Sequence, residues 1–176
     1  YGWTFSRLDG RFDMMMGGGG QQVLVYTLDN HLTVQRRVFP DWNTYGQAPD
    51  VAMTRVSSIG TDIAFGAVDA QVASGEIMTD ADGARQATVY FPPGVTAIAT
   101  SRGMSTPLTT GRFRATEYTV GDFGPRAMPG DLPGVSLYTY AVDLTFDQAG
   151  IGGDVQFSEP VSLYVDNFLG FPVGSA

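Results

Sequence analysis

Few residues in this chain have side chains able to do covalent or acid–base chemistry, and their spacing does not gather them into a reacting set. Cysteine and lysine are both absent. That excludes disulfides, thiol catalysis, Cys-ligated zinc, iron–sulfur clusters, Schiff-base chemistry, the lysine of a phosphate loop and Lys–Asn isopeptide links. The missing disulfides leave the compartment open. His31 is the single histidine, so any imidazole scheme would rest on it alone, and in an Asp29-Asn30-His31 turn it reads as a solvated residue. The fifteen Asp, with Glu76, Glu117 and Glu159, offer carboxylates. Glycoside hydrolysis needs two of them about 5–9 Å apart, and no spacing selects a pair. No Gly-x-Ser-x-Gly elbow is present. The expectation is no catalytic residue, no cofactor and no enzyme activity.

Four stretches could bind rather than react. Asp80-Ala81-Asp82-Gly83 is half of a calcium-loop signature, since hard cations want six to eight oxygens and Asp80 and Asp82 supply carboxylates at alternate positions. It lacks the third Asp and the distal Glu, and turn geometry demands Asp and Gly independently, so a plain turn is the preferred reading. Trp42 and Tyr45, in the polar loop between Pro40 and Pro49, could stack on sugar rings with Trp3, although aromatic residues capping a sheet edge look the same in sequence. Gly17–Gly20 is followed by neither a helix pattern nor a lysine, so it reads as a hairpin connection and not a phosphate cradle. The segment from Arg112 to Arg126, with Tyr118, Phe123 and Met128, is long enough to carry binding; Pro125, Pro129 and Pro133 favour a stiffened crossover between sheets.

The elements that would position these residues are strands. Leu8-Asp9-Gly10 is an Asp-Gly turn feeding Phe12, Met14 and Met16 on one face, with Tyr1–Phe5 as the strand before it. Gln22–Leu28, apolar on both faces, suits a central strand. Leu32–Phe39 alternates, and Arg36, interrupting the inward face, is expected at an edge. Val51–Val56 supplies another strand. Asp82-Gly83 between alternating runs makes Ile77–Gly94 a hairpin. Val95–Thr100, an Arg102-Gly103 turn and Phe113–Val120 continue the pattern. In Leu137–Thr145 the apolar face is Tyr138, Tyr140, Val142 and Leu144. Glu159-Pro160 separates the last two strands. The fold class expected is all-β: two small antiparallel β-sandwiches, Ig-like or prealbumin-like, in tandem, over residues 1–56 and 67–176 with a linker at 57–66.

A net charge of −8 disfavours nucleic acid and anionic lipid as partners, and no apolar stretch reaches the ~20 residues of a membrane helix. Tyr1 reads as the start of a fragment or a processed chain, since no cleavable leader opens it.

Several ordered motifs carry a resemblance. They are Thr79-Asp80-Ala81-Asp82-Gly83 with Phe91-Pro92, Arg114 to Gly121, Ala127-Met128-Pro129-Gly130-Asp131-Leu132-Pro133, Tyr138 to Val142, and Pro160-Val161 through Tyr164 to Gly174. Over residues 70–174 the chain resembles the β-rich region preceding the repeats of large bacterial Rhs/YD-repeat proteins. Through Leu8-Asp9-Gly10-Arg11-Phe12 and Val34-Gln35-Arg36-Arg37-Val38, residues 1–56 resemble part of a carboxypeptidase-regulatory-like, prealbumin-type sandwich. The resemblance implies a non-catalytic structural module of an extracellular or cell-surface bacterial protein, one that spaces, docks or polymerises; the competing reading is a carbohydrate-binding module using Trp42, Tyr45 and Trp3. Its partners would be neighbouring domains or identical subunits. Contact is expected at an unpaired edge near Tyr1, Trp3 and Phe5 or along Gln22–Leu28, and at Phe168, Leu169 and Phe171, in a tail too apolar to hang free. Under the competing reading the partner is a glycan. Because the Asp80/Asp82 loop is incomplete, EDTA should leave the melting temperature unchanged. A fall of several degrees would reveal a structural cation, since a ligand held only by the native state raises its stability.

Overall fold

β-branched and aromatic runs punctuated by Gly, Asp and Asn favour strands, and the computed structural model, which describes residues 2–118, 121–131, 140–150, 153–172 and 174, contains thirteen. In chain order they are β1 (Gln22–Tyr26), β2 (Val34–Val38), β3 (Thr61–Ala64), β4 (Gln71–Ser74), β5 (Met78–Asp80), β6 (Gly83–Arg85) and β7 (Ala87–Phe91). There follow β8 (Ala97–Ser101), β9 (Met104–Leu108), β10 (Thr110–Glu117), β11 (Val142–Phe146), β12 (Asp154–Phe157) and β13 (Ser162–Val165). The described helical pieces are short 3-10 turns at Gly121–Ala127 and Asp147–Ala149. The protein is all-β. Every described strand pairing is antiparallel, in sheets ordered β1–β2, β11–β10–β3, β12–β8–β9, β13–β7–β4 and β5–β6.

The Asp-Gly hairpin forms and is longer than expected. β4 pairs with β7 from Gln71↔Phe91 to Ser74↔Thr88, and β5 pairs with β6 from Met78↔Arg85 to Asp80↔Gly83. Between the two ladders, residues 75–77 face residues 86–87, which places one extra residue on the first strand: a β-bulge. The Gly75 amide donates to the Ala87 carbonyl at 2.9 Å, and the Gln86 side-chain amide donates to the Gly75 carbonyl at 2.8 Å, so the bulge keeps its bonds. Gly75 is required by space, since a Cβ there would lie 2.9 Å from that of Ala115. At the tip, Ala81 and Asp82 occupy the turn and Gly83 (φ 123°) follows it. The Arg102-Gly103 turn forms as expected, with φ of 51° and 78°, both positive as a two-residue type I′ hairpin needs.

The main core lies between the sheets carrying β7 and β10. Phe91, fully buried, meets Phe113, Phe146 and Phe157 with ring centroids 5.7, 6.1 and 5.9 Å apart, mostly edge to face. Ile63, Ala73, Ala87, Val89, Val95 and Ala115 complete it. Aromatic pairs in such arrangements add about 0.5–1.5 kcal/mol each beyond area burial, so four strands are locked through one ring.

The N-terminal strands attach through a different device. Arg36, 4 % exposed, donates to the carbonyls of Gln35 (2.7 Å), Arg126 (3.0 Å) and Met128 (2.9 Å), with Asp131 4.0 Å from its Nε. Beside it the Gln35 amide donates to the Pro129 carbonyl, and the Arg37 amide and Nε both donate to Asp131 Oδ2. Leu32, Tyr118 and Met128 form a second small core with Val56 and Ala141.

Several expectations are corrected. Residues 2–5 form no strand, and Tyr1 lies outside the described residues. β1 is not central but lies at an edge, the other of the two readings given for Gln22–Leu28: among the described residues it pairs with β2 alone, and Val23 and Val25 are exposed. Phe12, Met14 and Met16 are half-buried on one side of an extended segment that is not a strand. Residues 51–56 make a single bridge, Arg55 to His31, instead of a strand. Arg36 is an interior residue because backbone carbonyls, invisible in the hydropathy pattern, receive it. The stretch read as a linker carries β3, whose Ile63 is 1 % exposed in the main core and whose ladder runs to β10. In β11 the alternation runs as expected, yet Leu144 is partly exposed at the mouth of a core cavity of about 110 Å³, while Asp143 on the other face is covered. Leu137, Tyr138 and Thr139, and likewise Thr119 and Val120, lie outside the described residues.

Arg36→Met should lower stability by about 2–4 kcal/mol, since the several hydrogen bonds lost, at about 1.5–3 kcal/mol each, are partly offset by no longer burying a charge, which costs several kcal/mol. Arg36→Lys should recover little of it, since a point cation cannot fork to several carbonyls. Urea denaturation of the three proteins checks both.

Candidate functional site

The densest polar cluster sits where the hairpin tip meets the end of β10. The bulge carries β5 and β6 past Ala115 and brings Arg85, 5 % exposed, against Glu117. Arg85 Nε donates to Glu117 Oε1 at 2.7 Å, and its Nη2 also contacts that oxygen. Its other edge forks onto Asp80, with Nη1 to Oδ1 at 2.8 Å and Nη2 to Oδ2 at 2.7 Å. Asp80 Oδ1 further accepts the Asp82 amide at 2.9 Å. The Phe168 ring covers the guanidinium, 4.6 Å from its carbon, and Tyr140 packs against Phe168 at 6.3 Å.

The electrostatics follow from this geometry. The hydrogen bonds from Arg85, helped by the Asp82 amide, hold the Asp80 carboxyl down to about 2. The fork onto Asp80 raises the Arg85 guanidinium further. Glu117 is raised in spite of Arg85, because burial outweighs the pairing and its Oε2 is sealed from solvent without a hydrogen-bond partner. Burial also pushes the Tyr140 hydroxyl up to about 12. With both Asp80 oxygens committed to Arg85, the Asp80/Asp82 pair acts as a turn and an ion-pair anchor. The cluster pins hairpin tip, β10 and C-terminal turn together.

A second buried carboxylate stands alone. Asp143 on β11 is opposite Thr116 on β10 and points the same way, toward the N-terminal segment, where the Ser57 amide donates to Thr116 Oγ1 at 3.0 Å. Asp143 Oδ2 has neither solvent nor a hydrogen-bond partner, and burial raises its carboxyl. Burial and the Asp143 charge together push the nearby Tyr118 hydroxyl up to about 12.

The aromatic residues singled out in the sequence are not gathered into one platform among the described residues. Trp3, 78 % exposed, packs edge-on with Phe5 at 5.1 Å. Trp42 lies over Gly19, where any Cβ would strike the indole, and the Gly19 amide donates to the Pro40 carbonyl at 2.8 Å; the glycine run thus accommodates the Trp42 loop. Tyr45 is fully exposed without a ring partner. His31 donates from Nδ1 to the Asp29 carbonyl at 2.8 Å. In the tail, Asn167 closes a turn, with its amide nitrogen on the Phe171 carbonyl at 2.7 Å and its oxygen accepting the Phe171 amide at 2.8 Å. Phe168 is folded onto this chain's own Arg85, whereas Leu169 and Phe171 are partly exposed.

Sequence reasoning missed Arg85 and singled out Asp143 no more than any other Asp, and it named Glu117 only as one carboxylate among many, without its pairing to Arg85. Arg85 carries the one available signal, five residues after Asp80 across a tight turn. Nothing local marks the other two.

The family model of the teneurin TTR-like domain matches residues 1–53. A transthyretin-like fold is prealbumin-type, so the reading of residues 1–56 stands at that level. No curated protein and no solved structure matches the chain, and no comparison speaks to the Rhs/YD-repeat resemblance of residues 70–174.

Asp143 and Glu117 bind protons more tightly folded than unfolded. Each contributes stability that is lost as pH rises from the ordinary values of 3.8 and 4.5 through the raised folded ones. Asp80, Asp131 and Asp147 act oppositely, contributing stability above 3.8 that is lost as pH falls through their depressed values, about 2 for Asp80. Asp143→Asn should therefore melt higher than the wild type at pH 7, by roughly 2–4 °C for each kcal/mol recovered, and lose that advantage near pH 3.5. An equal difference at both pH values would mean that the Asp143 charge is not what destabilises the folded chain.

Proposed function

We propose that this chain is a non-catalytic structural module of a larger extracellular or cell-surface protein, bacterial in type by the resemblance of residues 70–174, which docks onto further β structure through its N-terminal strands. The coarse part of this reading, a TTR-like β module, rests on the family match. The docking rests on one observation. β2 has its outer edge covered by residues 129–131, while no backbone group of β1 bonds outside the β1–β2 pair among the described residues. β1 reads Gln-Val-Leu-Val-Tyr, with no charge or proline of the kind that protects a free edge, and a two-stranded ribbon is marginal alone. An added strand, from a neighbouring domain or an identical subunit, would pair its backbone and cover Val23 and Val25. No comparable observation favours sugar binding, because Trp3, Trp42 and Tyr45 are not brought together.

Sedimentation over a concentration series should show reversible association that Val25→Lys abolishes without lowering the melting temperature. A monomer whose β1 amides nevertheless exchange slowly with solvent would overturn the proposal, since the edge would then be covered from within.

A further inference from the structure

The chain pairs its cations closely. Seven of the ten arginines, Arg7, Arg11, Arg36, Arg37, Arg85, Arg112 and Arg114, lie within ion-pair distance of a carboxylate. Among the described residues that leaves Arg55, Arg102 and Arg126. Two of these three, Arg55 and Arg126, line one open cleft of about 480 Å³, a size typical of ligand sites. One wall is the extended segment through Val51, Met53 and Arg55; the other is the 3-10 segment with Phe123 and Arg126.

The walls are built. The Ala52 amide donates to the Arg126 carbonyl at 3.0 Å across the cleft floor. On one side, the Leu32 amide bonds to the Thr54 carbonyl and the Val56 amide to the Asn30 carbonyl, at 2.8 Å each. On the other, Arg36 holds the Arg126 and Met128 carbonyls from beneath. Arg126 Nε is turned back to the Phe123 carbonyl at 3.2 Å, which leaves its two terminal nitrogens free to donate. Phe123 is 56 % exposed beside it. Arg36, buried beneath these carbonyls with Asp131 at 4.0 Å, lies behind the two exposed guanidiniums of Arg55 and Arg126.

We propose that this cleft binds a carboxylate-bearing peptide segment, with Arg55 and Arg126 forking onto acidic side chains and Phe123, Val51 and Met53 receiving the adjoining hydrocarbon. Guanidinium forks match carboxylates geometrically, and such bonds are the strong ones. The net charge of −8 opposes an acidic partner only at long range. Beyond a Debye length of about 8 Å at physiological salt it is screened, and the local pair of guanidiniums, without an ion-pair partner among the described residues, decides. The proposal does not depend on docking at β1, which lies elsewhere in the N-terminal region.

The test is titration calorimetry of the whole chain with a hexaglutamate peptide, with hexaglutamine and inorganic phosphate as separate arms. Hexaglutamate should bind, weakening as salt rises, and hexaglutamine should not. Arg55→Gln and Arg126→Gln should each weaken hexaglutamate at least fivefold, with melting temperatures unchanged, while Arg102→Gln, the third unpaired arginine in the β8–β9 turn, leaves it unaltered. Phe123→Ala should weaken the peptide and not phosphate. No binding, equal loss in the Arg102 variant, or phosphate competing at equal affinity would overturn the assignment.

Discussion

A buried guanidinium must be surrounded by oxygen, and this requirement organises both junctions of the molecule. The penalty for taking a charge out of water is several kcal/mol unless good geometry and further hydrogen bonds offset it. Arg36 meets it mostly with backbone carbonyls, and those carbonyls can converge only if residues 125–131 wrap around the guanidinium. Arg85 meets it with two carboxylates from different elements and an aromatic lid. Removing either guanidinium would leave oxygens facing each other, so each acts as a keystone beyond the worth of its own bonds.

The aromatic core works by another route. Phe91 is the residue where the β7 and β10 sheets and β12 meet, and its edge-to-face contacts demand a fixed inter-sheet spacing. Gly75 permits that spacing locally, since a side chain there would push the bulged strand away from Ala115. The bulge then redirects the hairpin tip, which delivers Arg85 to Glu117. Core packing, a glycine and an ion pair are therefore successive steps of one construction.

Charge is distributed unevenly around this frame. Most arginines are spent on structure, two remain in one cleft, and two carboxylates, Glu117 and Asp143, are raised by burial. The destabilising acid Asp143 lies on the outer face of β11, against the N-terminal segment, and not in the main core. Strain in the charge balance thus falls at the junction between the two parts of the chain.

The amino-acid sequence by itself determined the all-β class, the Asp80–Gly83 and Arg102-Gly103 turns, the half-buried side of Phe12, Met14 and Met16, and a prealbumin-type character for the first third. These follow from short-range physics: φ preferences at Gly and Asp, side-chain alternation along extended chain, and motif order. Only the tertiary structure decided that Arg36 is interior, that residues 61–64 are a core strand instead of a linker, that of the two expected edges the one at β1 forms and the one at residues 2–5 does not, and that Arg85 joins Glu117 thirty-two residues away. Each of those depends on a partner distant in sequence. Burial of a polar group is set by the oxygens that close around it, and those oxygens are backbone and side-chain atoms whose positions exist only once the chain has folded.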